Sequence, residues 1–222
     1  MIQERLNTSG MREMAYDYIF WDNDGVLVDT EGLYYQASRE ALARIGFELT
    51  VSQFTTISLA SGRSVFELAT ADETLMDELR LWRNQRYSEL LVAQNLLLPR
   101  VKTTLTQLAR HKKMAIVTSC RRDHFDQIHA DTGLRQLFEF ILCREDYREA
   151  KPDPEPYLLA LKQSGREARH CLVIEDSVRG LAAAKAAGLT CWVIPSRQTA
   201  GQDFSAADRI LQRLDELPDL LG

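Results

Sequence analysis

Four short apolar runs along the chain each stop abruptly at polar residues. Tyr18-Ile19-Phe20-Trp21 ends at Asp22-Asn23-Asp24-Gly25, and Met114-Ala115-Ile116-Val117 ends at Thr118-Ser119. Cys171-Leu172-Val173-Ile174 ends at Glu175-Asp176-Ser177, and Cys191-Trp192-Val193-Ile194 ends at Pro195. Runs this short, bounded by turn residues, predict buried strands. Helical periodicity fills the gaps, over roughly 101–111, 123–132, 156–164 and 178–187, the last stopped by Gly188 as a C′ glycine. Strands alternating with helices predict an α/β fold with a parallel sheet covered on both faces. Ligands of such sheets bind beyond the carboxyl ends of the strands, where these polar residues fall.

Residues 31–97 break the alternation. Ala37, Ala41, Leu42 and Ile45 mark one face of a helix that Gly46 stops, and Leu75, Leu79 and Trp82 mark a later one. The reading is an inserted helical domain over 31–97. The core is then 1–30 and 98–222, with 1–16 as an N-terminal extension and Pro99 as a return hinge.

Composition narrows the function. The 222 residues are 45% hydrophobic and 27% charged, enough for one sizeable core and a smaller attached domain. A formal charge of -5 carries no electrostatic footprint for nucleic acid, so an anion needs a site built from specific residues. Residues 1–16 lack the apolar core of a signal peptide, and no stretch has the length of a membrane span. The four cysteines, Cys120, Cys143, Cys171 and Cys191, form no CxxC pair, which argues against a disulfide or zinc framework. The expectation is a cytoplasmic monomer acting on a small molecule, without nucleic-acid or membrane partners. Met11 and Met14 leave the start codon open.

Asp22 and Asp24 lie two apart at a strand end, where period-two geometry can point both side chains the same way. Phosphoryl transfer needs a nucleophile, an acid/base and charge neutralisation. Asp22 suits the first and Asp24 the second, although a solvated D-x-D-G turn reads the same in isolation. Glu175 and Asp176 suit Mg2+, a hard cation that takes oxygen ligands; alone, such a pair is as well explained by helix N-capping. Thr118 offers a hydroxyl to a phosphoryl oxygen, Ser119 a backbone N–H, and Lys151 an ammonium, against the plainer readings of a helix cap and a solvated lysine.

The ordered set resembles the haloacid dehalogenase superfamily. Asp22-Asn23-Asp24-Gly25-Val26-Leu27 looks like its first motif, Thr118 its second, Lys151 in Lys-Pro-Asp-Pro its third and Glu175-Asp176 its fourth. The stretch Glu175-Asp176-Ser177-Val178-Arg179-Gly180 is similar to the beta-phosphoglucomutase and sugar-phosphatase branch. The resemblance implies a Rossmann-like three-layer core with a helical cap inserted after the first motif. It further implies Mg2+ held by the Asp22 and Asp176 carboxylates and the Asp24 main-chain carbonyl, with Glu175 close by. Asp24 at the second acid position argues against dehalogenation and phosphonate cleavage. Trp21 departs from the usual Phe, and Pro99-Arg100-Val101 from Pro-Gly-Val, so Arg100 makes the hinge less permissive.

In this branch the cap sets specificity. Glu31, Tyr34, Ser61, Gly62 and Arg63 are the candidates, with Arg63 meeting a distal polar group; a surface arginine and packing tyrosines are the plain alternatives. The first expectation is hydrolysis of sugar phosphates or similar monoesters through an aspartyl-phosphate. The second is a sugar phosphomutase, disfavoured because Tyr34 stands where such mutases carry a histidine. A catalytically silent binding module is the third, disfavoured by the intact motif set. His124 and His129 are assigned to solvated or satisfied positions.

Overall fold

A computed structural model describes residues 16–92 and 95–222. The start-codon question and residues 1–15 of the N-terminal extension lie outside the described residues. Six strands form one sheet in the order β3-β2-β1-β4-β5-β6, every adjacent pair parallel. They are β1 Tyr18–Trp21, β2 Lys113–Val117, β3 Phe140–Leu142, β4 Cys171–Glu175, β5 Thr190–Val193 and β6 Arg209–Ile210. The helices are α1 Glu31–Ala43, α2 Val51–Phe54, α3 Glu73–Leu91, α4 Val101–Leu108, α5 Arg122–His129, α6 Glu155–Ser164, α7 Val178–Ala186 and α8 Leu217–Leu221.

Alternate residues of the central strands feed different cores. Ile19, Trp21, Ile116 and Ile174 pack with Leu105 of α4 and Phe125 of α5. Tyr18, Phe20, Val117 and Val173 pack with Tyr157 of α6 and Leu181 of α7. Two buried faces make three layers, and they explain why these strands read as continuous apolar runs instead of alternating ones. The predicted α/β, Rossmann-like class is what the chain adopts.

Between α1 and α3 a third cluster forms around Leu42, Phe54, Phe66 and Leu79. Ala37, Ala41 and Leu42 are buried as the periodicity predicts, but Ile45 is exposed. Helix α1 ends at Ala43, so Ile45 has left the helix before the Gly46 turn (φ +75°). The chain leaves and re-enters the sheet region through paired backbone: Asp29 N donates to Leu96 O at 2.9 Å and Leu98 N to Leu27 O at 3.0 Å. Arg100, at the departure from Pro-Gly-Val, adopts φ +67°, a left-handed conformation that glycine enters freely. Its guanidinium is tied to Asp215.

Candidate active site

The carboxyl ends of β1, β2 and β4 converge on a cleft of about 440 Å³, closed on its far side by α1, α3 and the 58–65 segment. Asp22 follows β1 directly, its N–H bonded to Ile174 O at 2.9 Å. The backbone then folds sharply: the Asn23 carbonyl accepts from Leu27 N at 2.8 Å and Val28 N at 3.1 Å. Gly25 is required in this turn. Its φ is +80°, and a Cβ there would lie 2.2 Å from Asp176 Oδ2.

Asp24 reaches the same cleft. Thr30 Oγ1 donates to its Oδ1, while Thr118 Oγ1 and Asn23 Nδ2 donate to Oδ2, each at 3.3 Å. Thr118 is thus engaged with an acid, and its hydroxyl also accepts from Cys120 N at 3.0 Å. The Ser119 hydroxyl is buried without a partner among the described residues.

Lys151, read from the sequence as an ammonium for phosphate, is buried at the edge of the cleft and already engaged by acids. Its Nζ donates to Asp22 Oδ1 at 2.8 Å, Glu175 Oε1 at 2.7 Å and Val117 O at 2.8 Å, and it lies 4.8 Å from the Tyr157 ring centroid. All three of its protons are therefore spent on fixing the two acids and the end of β2. Tyr157 adds a hydroxyl to Glu175 Oε1 at 2.7 Å. Removing one partner from so buried a pair leaves an uncompensated charge, a loss of about 3–5 kcal/mol.

Burial and mutual repulsion shape the acids. Burial pushes the Asp22 carboxyl up to about 7 against the pull of Lys151, with Glu175 and Asp24 adding to the rise. Asp176 is held well above the carboxylate range by burial, then by Glu31, Asp22 and Glu175. Burial also drives Glu31 up to about 7, opposed by the Ser196 hydroxyl at 3.1 Å. Glu175 goes the other way: against the upward push of burial, Lys151 and Tyr157 hold it below its ordinary value.

One carboxylate oxygen each from Asp22, Glu175 and Asp176 lies within 4.8 Å of the others. The Lys151 ammonium bonds to two of these three acids, Asp22 and Glu175, but not to Asp176. One ammonium against three carboxylates leaves an excess of negative charge, the donors are hard oxygens, and Gly25 leaves room beside Asp176 Oδ2 that a Cβ would fill. Those properties fit a divalent cation of the Mg2+ class.

The cap candidates divide. Glu31 sits in the first turn of α1 but belongs to the acidic centre through Ser196. Tyr34 lines the cleft, edge-on to Tyr87 at 5.2 Å. Arg63 lines it too, with its guanidinium paired to Glu67 at 2.5 Å. Ser61 bonds back to Ile57 O at 2.6 Å, and a Cβ on Gly62 would approach Lys151 O to 2.9 Å.

Sequence reasoning missed Arg83, Arg144 and Arg179, which line the cleft. No ion pair to them occurs among the described residues. Arg83 lies over the Tyr34 ring at 4.4 Å and donates to Asn84 Oδ1 at 2.9 Å; Arg144 donates to the Tyr147 and Arg148 carbonyls. Single arginines in polar helices look solvated in a sequence; only Arg179, three residues after Asp176, carried a signal. Of the four histidines, His124 and His129 are buried and satisfied, His124 on Asn84 O at 3.2 Å and His129 on Asn23 Oδ1 at 2.8 Å.

Residues 19–194 match the family model of haloacid dehalogenase-like hydrolases. The chain is 33% identical over 210 residues to Protein CbbY of Rhodobacter capsulatus, covering 88% of this chain and 92% of that one. It is 26% identical to a phosphoglycolate phosphatase of Photorhabdus laumondii, over 96% and 93% of the two chains. The solved structure of CbbY from Rhodobacter sphaeroides in complex with phosphate superposes with a TM-score of 0.79 at 25% identity, covering 91% of this chain and 96% of that one.

Proposed function

The chain belongs to the haloacid dehalogenase-like hydrolases, and from that premise we propose that it is a Mg2+-dependent phosphatase acting on a small sugar-phosphate monoester. The observation that carries this reading is the buried Asp22–Lys151–Glu175–Asp176 cluster facing, across one cleft, arginines without carboxylate partners. Asp22 is the nucleophile: its carboxylate attacks phosphorus, the bond to the leaving oxygen breaks, and an aspartyl-phosphate forms. Asp24, held by Thr30, Thr118 and Asn23, gives its proton to the departing alkoxide. It then takes a proton from the water that attacks phosphorus, and inorganic phosphate leaves as Asp22 is restored. Lys151 fixes the orientation of Asp22, and the unpartnered Ser119 hydroxyl is a donor for a phosphoryl oxygen.

Asp22, Asp176 and the Asp24 carbonyl would hold Mg2+, with Glu175 beside them; when bound, it neutralises charge among the acids and the phosphoryl group. The helical segment 31–97 is the cap, and Arg83, Arg144 and Arg179 favour a substrate with a second anionic group. Relatives named for phosphoglycolate hydrolysis, or solved with phosphate, support the same class. Water as final acceptor is supported by Tyr34, whose ring packs against Tyr87 and offers no imidazole to the cleft.

The test is phosphate release from a panel of sugar phosphates, phosphoglycolate and nucleoside monophosphates. Release should occur with Mg2+, vanish with EDTA and be absent from Asp22→Asn. A folded protein silent across the panel would sink the reading, and conversion of glucose 1-phosphate to the 6-phosphate without release would replace it with the mutase.

A further inference from the structure

Asn23, between the two acids, is fully buried, and so is His129, the last residue of α5. Neither lines the cleft. The Asn23 backbone carbonyl already organises the turn through Leu27 N and Val28 N, which leaves its side chain for another purpose. An amide and an imidazole buried together cost about 1–3 kcal/mol each unless paired. Here they pair across 106 residues of chain, His129 Nε2 to Asn23 Oδ1 at 2.8 Å.

The pairing fixes which way the amide points. Asn23 Nδ2 faces Asp24 Oδ2 at 3.3 Å and donates to it; the flipped amide would set two acceptors against each other. Asn23 Oδ1 must then accept, so His129 carries its proton on Nε2. Its Nδ1 lies 3.2 Å from the Thr132 hydroxyl, which also donates to the His129 carbonyl at 3.2 Å. The imidazole has a proton for Asn23 and no second one to lose there.

We propose that His129 is a positioning residue: through the Asn23 amide it sets one of the hydrogen bonds that hold the Asp24 carboxylate for proton transfer to the leaving group. This rests on the acid/base role of Asp24 proposed above. Without His129 the amide loses the partner that keeps its N–H on Asp24, and Asp24 keeps only the two threonine hydroxyls.

The test compares two leaving groups. Ribose 5-phosphate expels a basic alkoxide that needs a proton; 4-nitrophenyl phosphate expels a stable phenolate that does not. His129→Leu and Asn23→Leu should each lower turnover of ribose 5-phosphate about tenfold, the worth of one hydrogen bond, and leave 4-nitrophenyl phosphate within about twofold. His129→Gln, which restores an N–H donor at similar reach, should recover most of the loss. The double Leu variant should lose no more than Asn23→Leu alone, because the two act as one unit. Equal losses on both substrates, or additive losses in the double variant, would overturn the proposal. If His129→Leu does not fold, Asn23→Leu carries the comparison against His129→Gln. Asp24→Asn separates the two levels. Unselective loss there removes the acid role of Asp24 itself; selective loss there with none in Asn23→Leu removes only the role of His129.

Discussion

Arg83 stacks on Tyr34 and bonds to Asn84 on the wall of the cleft, without an ion pair to any carboxylate among the described residues. A half-buried guanidinium lying over an aromatic ring can still receive an anion in two-pronged fashion. Arg63 differs in being exposed and already paired with Glu67, and such surface pairs are worth about 0–1 kcal/mol. Arg83→Ala should therefore raise KM for a monoester bearing a second anionic group by roughly 10–100-fold, the loss of one charge-assisted bond. Its kcat should hold, and 4-nitrophenyl phosphate, without a second anion, should be unaffected. Steady-state kinetics on the two substrates decides it: a fall in kcat with unchanged KM would move Arg83 from recognition to chemistry.

Helix α7 shows how an element is tied to the site it follows. Ser177 caps it by accepting from Gly180 N at 3.2 Å, and the same hydroxyl donates to Glu175 Oε2 at 3.2 Å. A Cβ on Gly180 would fall 2.0 Å from the Glu175 carboxylate, which Lys151 and Tyr157 hold in place. Alanine favours a helix over glycine by about 1 kcal/mol, but overpacking a core costs about 1–3 kcal/mol and here pushes on a buried ion pair. Gly180→Ala should lower the thermal midpoint, whereas Gly32→Ala in α1, with open space around it, should raise it or leave it unchanged. Thermal unfolding of the two variants side by side checks the signs. The same scale explains what the sequence revealed. β1, β2, β4 and β5 were legible because both faces of each are buried. β3 and β6 were not: they have three and two residues, and Glu139 interrupts the apolar run into β3. The acids at the strand ends were legible as a set, while Arg83, Arg144 and the Asn23–His129 pair arise only from packing between distant segments.

For the molecule as a whole, the acidic centre is a local conflict that the rest of the fold sustains. Asp22 and Glu31 are pushed up to about 7 and Asp176 is raised well above its ordinary value, chiefly by burial. A carboxyl whose folded pKa lies above its unfolded value adds stability fully below the unfolded pKa and loses it as pH rises through the folded one. In the metal-free protein this contribution therefore fades between about pH 4 and pH 7. A cation that binds only the folded, deprotonated cluster opposes that loss by mass action, about 2.7 kcal/mol at a hundredfold excess over Kd. For a chain of this size that corresponds to a midpoint shift of roughly 5–10 °C. Because the ligands must release protons to bind metal, the Mg2+-induced shift should be larger near pH 7.5 than near pH 5.5. Asp176→Asn removes a buried acid whose ionisation the fold opposes, so it should raise the metal-free midpoint at neutral pH and shrink the Mg2+ response towards zero. Calorimetry with and without Mg2+ at the two pH values reads all three effects without any substrate. A midpoint that Mg2+ raises equally in the wild type and in Asp176→Asn would place the ion elsewhere.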